Sequence, residues 1–163
     1  MKHITTKYPA YIDEVSEIIG LLRNKSNEQI MNNNSYYQRG GLEDKMDIMG
    51  VKGELIVSNY LHSQGIEHKL SKLLDDRPVS SEDINIDGKA VDVKCVNDNA
   101  PHLLVNEKAH LKDKGIGYYA FVMPKPDHTA HIWLCSYEDV SKWNVRNFKY
   151  TNAYYKQIDY GNY

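Results

Sequence analysis

Sulfur ligands, long apolar runs and a surplus of positive charge are all scarce in this chain. It has two cysteines, Cys95 and Cys135. Both fall in segments that read as strands, and no charged-then-apolar leader precedes them, so free buried thiols are expected rather than a disulfide or a thiolate metal site. No apolar stretch approaches the roughly 20 residues of a membrane-spanning helix. With no leader either, the expectation is a soluble cytoplasmic protein without a membrane partner. Zinc signatures are weak: His128-x-x-His131 lies in a loop and strand start, lacks a cysteine pair or a helical HExxH context, and reads as exposed loop histidines. The formal net charge is -2 with a pI near 6.4, which excludes a broad electrostatic grip on nucleic acid, so any basic face must be local. Residues 51–100 carry nine acids against six bases, whereas 101–163 carry eight bases against six acids.

What is present is one domain's worth of chain. At 163 residues and 41% hydrophobic content, it can bury one core. Tyr8 to about Met31 reads as an amphipathic helix through Ile12, Val15, Ile18, Ile19, Leu21 and Leu22, ended by the Asn-rich break 32–35. It would cover the core or pair with a second copy. Leu42 to His62 is continuously helix-compatible, with Met46, Met49, Val57, Tyr60 and Leu61 at spacings of three and four and Gly65 just beyond as a stop signal. Further on, Leu103-Leu104-Val105 reads as a short strand or a helix start. Asn106–Lys114 reads as a helix, Gly117–Met123 as a buried strand, Ala130–Tyr137 as another strand and Glu138–Trp143 as a short helix. Alternation of this kind predicts an α/β domain.

The most informative segment runs from Asp83 to Lys94. Asp87-Gly88 between alternating apolar residues is the signal for a two-residue hairpin turn that needs positive φ at both central positions. So short a loop fixes the register. Ile86 then faces Lys89, Asn85 faces Ala90, Ile84 faces Val91, and Asp83 faces Asp92 on the same side of the pair. Opposed residues hold their Cβ atoms about 4.5–5.5 Å apart, where like charges repel, so something cationic is expected between the two acids. Lys94 returns to their face by the strand period of two, while Ile84, Ile86, Val91 and Val93 fill the other. The bland alternative is a surface hairpin with solvated acids, and Glu54, placed upstream on a helix, weighs against it. Gly50 and Gly53 each cost that helix about 1 kcal/mol relative to Ala, which suggests close approach of sheet, metal or phosphate to the face that carries Glu54. An oxygen-only donor set suits a hard divalent cation such as Mg²⁺ or Mn²⁺, and the chemistry that follows is phosphate hydrolysis by metal-activated water.

Glu54 on a helix, then Asp83, then Asp92-Val93-Lys94 resembles the PD-(D/E)XK nuclease superfamily, over about residues 42–136. Glu82 stands where the family's name has proline. The resemblance implies a restriction-endonuclease-like core, a mixed central β-sheet of four to five strands flanked by helices. Residues 1–41 would add an N-terminal helix and loop, and 137–163 a C-terminal helix and an aromatic/basic tail, all within a single domain. It further implies that Asp83, Asp92 and Glu54 are metal ligands together with the Val93 backbone carbonyl, that Lys94 is the catalytic lysine, and that the products carry a 5′-phosphate and a 3′-hydroxyl. DNA is the expected substrate. A non-catalytic, protein-binding subunit with the same fold and an RNA-directed nuclease of the superfamily are the alternatives, and a homodimer or larger assembly is compatible with the sequence.

Two stretches bear on partners. Trp143, Arg146, Phe148, Lys149, Tyr150, Tyr154, Tyr155 and Lys156 interleave basic and aromatic residues, and residues 36–41 (Tyr-Tyr-Gln-Arg-Gly-Gly) have a similar character. Such a pattern suits a nucleic-acid surface and equally a protein interface. Arg39, Lys52, Arg146 and Lys149 are the candidate nucleic-acid-binding residues.

Overall fold

Strand β6 (Ile116–Pro124) explains the layering. Its Ala120 and Val122 belong to one buried cluster and its Tyr119, Phe121 and Met123 to another, so the strand is covered on both faces, as its nearly unbroken apolar run requires. In the computed structural model the described residues are 1–31, 43–71, 82–112, 115–148 and 151–158. β6 pairs in parallel with β4 (Lys89–Cys95) and antiparallel with β7 (Thr129–Ser136). Adding β1 (Lys2–Lys7), β2 (Lys69–Leu70) and β3 (Ile84–Ile86) gives a mixed six-stranded sheet in the order β1-β7-β6-β4-β3-β2. A second sheet has the order β5-β9-β8, from β5 (His102–Asn106), β8 (Asn144–Phe148) and β9 (Thr151–Gln157).

Helices α1 (Tyr11–Met31) and α2 (Glu43–Ser63) cover one face of the large sheet, where Ile12, Ile56, Val57 and Leu61 meet Ile84, Val91, Val93 and Ile132. The small sheet and α4 (Tyr137–Ser141) cover the other, with Leu103, Val105 and Val140 against Phe121, Trp133 and Cys135. Helix α3 (Glu107–Lys112) joins β5 to β6 and carries the buried His110. Local chemistry sets the ends of the short helices. The Ser136 hydroxyl accepts from Asp139 N–H at 3.0 Å, and the Asn106 side-chain oxygen accepts from Ala109 N–H at 3.0 Å, both serving donors that a first helical turn leaves unpaired.

Three expectations are corrected. The sheet has six strands rather than four to five, because β1 and β2 are edge strands: β1 is polar and only partly buried, and β2 is two residues long. Residues 144–157 contain two paired strands rather than only a tail. His128 and His131 are half-buried rather than exposed: His128 Nε2 lies 3.3 Å from Asp13, and His131 Nδ1 lies 3.0 Å from His3 Nε2, with both His3 and His131 rings against Trp133. The cysteines are free, and burial pushes both thiols up to about 12. Among the described residues no helix is long and apolar enough to cross a membrane.

Candidate active site

The hairpin that carries the two aspartates has the register the turn dictates. Ile86 pairs with Lys89, Asn85 with Ala90 and Ile84 with Val91. Asp87 and Gly88 close the turn at φ 49° and 78°, the left-handed conformations a turn of this type needs. The Asn85 side-chain oxygen steadies it by accepting from Gly88 N–H at 2.9 Å. One residue beyond the last paired position, Asp83 N–H donates to the Val91 carbonyl at 3.1 Å. Its carboxylate then accepts from Val93 N–H at 2.7 Å, which pins Asp83 across the ladder from Asp92. Lys94, two residues along β4, places its Nζ 2.7 Å from both carboxylate oxygens of Asp92. Val91 and Val93 turn into the core on the opposite face.

Helix α2 brings Glu54 to this edge because Gly53 lets it lie close. A Cβ on Gly53 would stand 3.1 Å from Cys95 Cβ and 3.3 Å from Val93 Cγ1, so the helix rests on β4 immediately beside the Asp-Val-Lys element. A Cβ on Gly50 would stand 3.5 Å from Nη1 of Arg23 and 4.0 Å from Glu54 Oε1, in ordinary contact with both. Arg23 comes from α1 and meets the buried Glu54 in a two-pronged ion pair of 2.8 and 3.0 Å. The helix crossing aims it there. A Cβ on Gly20 would fall 2.5 Å from the Ile48 Cα, so α1 and α2 touch backbone to backbone at that point, and Arg23, three residues on, lies on the same helix face.

Charge is the property that sets this region apart. Burial first, then the charges of Glu54 and Asp92, push the Asp83 carboxyl up from 3.8 to about 7, against the Val93 N–H and the Lys94 charge that pull it down. Burial works against the Arg23 charge, and hydrogen bonding and attraction from Glu54, with the charges of Asp83 and Asp47, hold its pKa above the ordinary value. Asp47 is itself buried on α2, seven residues before Glu54 and so near the same face. Arg23 pairs with Glu54 and Lys94 with Asp92, and the charges of Asp83 and Asp47 also bear on Arg23.

The structure thus brings Glu54, Asp83, Asp92 and Lys94 into one electrostatically linked group. Val93 enters it through its N–H. Sequence reasoning missed Arg23 and Asp47. The traces they leave are a glycine one turn ahead of Arg23 and the 47, 50, 54 spacing on α2. Among the described residues no three His, Cys, Asp or Glu side chains converge as a ready metal cage, since Glu54 is turned to Arg23 and Asp92 to Lys94. The donor chemistry nonetheless fits a hard divalent cation, because the set is all oxygen.

The candidate nucleic-acid contacts scatter. Lys52 Nζ is 2.7 Å from Asp13 Oδ1 and sits over the Tyr8 ring, 5.4 Å from its centroid, so its charge is spent within the fold. Arg146 is exposed on β8. Arg39 and Lys149 lie outside the described residues. Compared with known proteins, the chain matches no family model, no curated protein and no solved structure at a significant level.

Proposed function

We propose that this chain is a divalent-metal-dependent nuclease of the PD-(D/E)XK type that hydrolyses phosphodiester bonds, with DNA as its substrate. The observation that carries the reading is Asp83, a carboxylate pinned by Val93 N–H and held near neutrality by burial and the charges of Glu54 and Asp92, with the Lys94 amine on Asp92. A fold maintained for stability alone has little reason to gather acids at such cost, whereas a site awaiting a cation has. The order of elements supports it too: the glutamate-bearing α2, the β2-β3-β4 meander with both aspartates, and β6 returning parallel beside β4 follow the order of the restriction-endonuclease-like core.

In this reading Asp83 and Asp92 hold Mg²⁺ or Mn²⁺, with Glu54 a ligand directly or through water and the Val93 carbonyl a further donor. When bound, the ion supplies a water of lowered pKa and neutralises charge that develops on the phosphate. The chain's own groups do the remaining work. Val93 N–H fixes the Asp83 carboxylate. Lys94 Nζ, half exposed beside Asp92, orients the attacking water by hydrogen bonding. Arg23 keeps Glu54 in place and offsets the repulsion among the acids.

The test is incubation with supercoiled, linear, branched and single-stranded DNA and with RNA, in Mg²⁺, Mn²⁺ or EDTA. Metal-dependent cleavage that Asp92→Asn and Lys94→Gln abolish, in variants that still melt cooperatively, is the expected result. Cleavage of RNA alone would reassign the substrate. No cleavage of any substrate by wild type would leave a non-catalytic subunit with a nuclease-like fold.

A further inference from the structure

Strand β5 of the small sheet alternates between a buried and a more exposed face, and the register carries that division to β9 and β8. The paired positions put Leu103, Val105 and Tyr154 on the inner side, where they pack on the large sheet. Positions that alternate with these face outward, namely His102 and Leu104 on β5, Ala153 and Tyr155 on β9, and Arg146 and Phe148 on β8. Three of them form an aromatic row. Tyr155 stands edge to face with His102 at 5.7 Å between centroids and with Phe148 at 6.4 Å, and the small, buried Ala153 between them lets the Phe148 ring reach across. Arg146 is exposed beside the row, and Leu104 is 39% exposed. The three strands contain no acidic residue at all, while they carry His102, Arg146 and Lys156. On a chain with a net negative charge, an acid-free sheet face with aromatic rings and an arginine is complementary to a polyanion that also offers flat rings.

We propose that the outward face of the β5-β9-β8 sheet binds single-stranded nucleic acid, with bases stacking on Tyr155 and Phe148 and a phosphate on Arg146. A single strand fits and a duplex does not, because only unpaired bases present their flat faces to side chains. The inference does not depend on the nuclease reading, since binding here requires neither a metal nor the acidic site.

Fluorescence anisotropy with labelled oligo-dT, oligo-U and a duplex of equal length, all in EDTA, tests it in the full chain. Wild type should bind single strands more tightly than duplex, and the dT and U arms tell which backbone is preferred. Tyr155→Ala and Phe148→Ala should each weaken single-strand binding roughly tenfold, Tyr155→Trp should retain it, and Arg146→Ala should reduce the salt slope by about one. Tyr155→Leu keeps the bulk without the ring and guards against a folding defect in the alanine variant. Failure of wild type to bind single strands, or equal binding by folded Tyr155→Leu, would overturn the proposal. So would a protein dimer that Tyr155→Ala dissolves while no oligonucleotide binds. Binding without metal-dependent cleavage would instead sink only the nuclease reading.

Discussion

Replacing Asp83 by Asn should stabilise the protein at alkaline pH and leave it nearly unchanged in acid. The Asp83 carboxyl is raised from 3.8 to about 7 by burial and by Glu54 and Asp92. Because the native state binds this proton more tightly than the unfolded chain does, stability falls as pH rises from about 4 to about 7 and levels off above that. At 1.36 kcal/mol per pH unit the full effect is roughly 4 kcal/mol. Asn keeps an oxygen to accept from Val93 N–H, the 2.7 Å bond that positions the side chain, but carries no charge for Glu54 and Asp92 to repel. Urea unfolding in EDTA at pH 4.5, 6 and 8 measures it, and taking the difference between variant and wild type cancels the titrating groups that do not interact with Asp83. The variant should gain roughly 2–4 kcal/mol between the lowest and highest pH. A difference that is constant across the range would mean that Asp83 titrates normally, and the argument for a charge-frustrated site would fail with it.

Other outcomes follow from the same geometry. Millimolar Mn²⁺ should raise the melting temperature of wild type more at pH 8 than at pH 5.5, since ligands must be deprotonated to bind, and Asp83→Asn should lose most of that rise; differential scanning fluorimetry reads both. Arg23→Ala strands a buried glutamate whose oxygens lie 2.8 and 3.0 Å from the guanidinium, and should cost roughly 3 kcal/mol in urea unfolding. Gly20→Ala forces a methyl to within 2.5 Å of the Ile48 Cα and should cost about 1–3 kcal/mol despite alanine's better helix propensity; a neutral or stabilising result would show that α1 and α2 do not touch there.

How far the sequence discloses this molecule depends on the range of the interactions involved. The hairpin is legible because Asp87-Gly88 fixes its own register, and α2 is legible because its period and the Gly65 stop are local properties. Gly53 points correctly to a close approach of the sheet, whereas a Cβ on Gly50 would make only ordinary contact with a guanidinium. Edge strands β1 and β2 escape notice because their hydrogen bonds come from β7 and β3 while their side chains are too polar or too few to make a pattern. In the aromatic/basic stretch, Tyr154 and Tyr155 look equivalent until pairing sends one into the core and the other outward. Arg23 is hidden most deeply, because its role depends on two helices crossing at Gly20 and Ile48, a contact no periodicity encodes.

Arg23 also changes what the acidic group means. Burial first, then the charges of Glu54 and Asp92, raise the Asp83 carboxyl to about 7, while Arg23 pairs with Glu54 and Lys94 with Asp92. Under the proposed function, Glu54 and Asp92, which would help to hold a divalent ion, already accept from Arg23 and Lys94, so the ion would share those oxygens with the two cations. Metal affinity and the strength of the Arg23–Glu54 pair are then opposed quantities. Arg23→Lys, which keeps the charge but gives up the two-pronged geometry, should bind Mn²⁺ more tightly than wild type in isothermal titration, and an unchanged or weaker affinity would show that Glu54 takes no part in holding the ion.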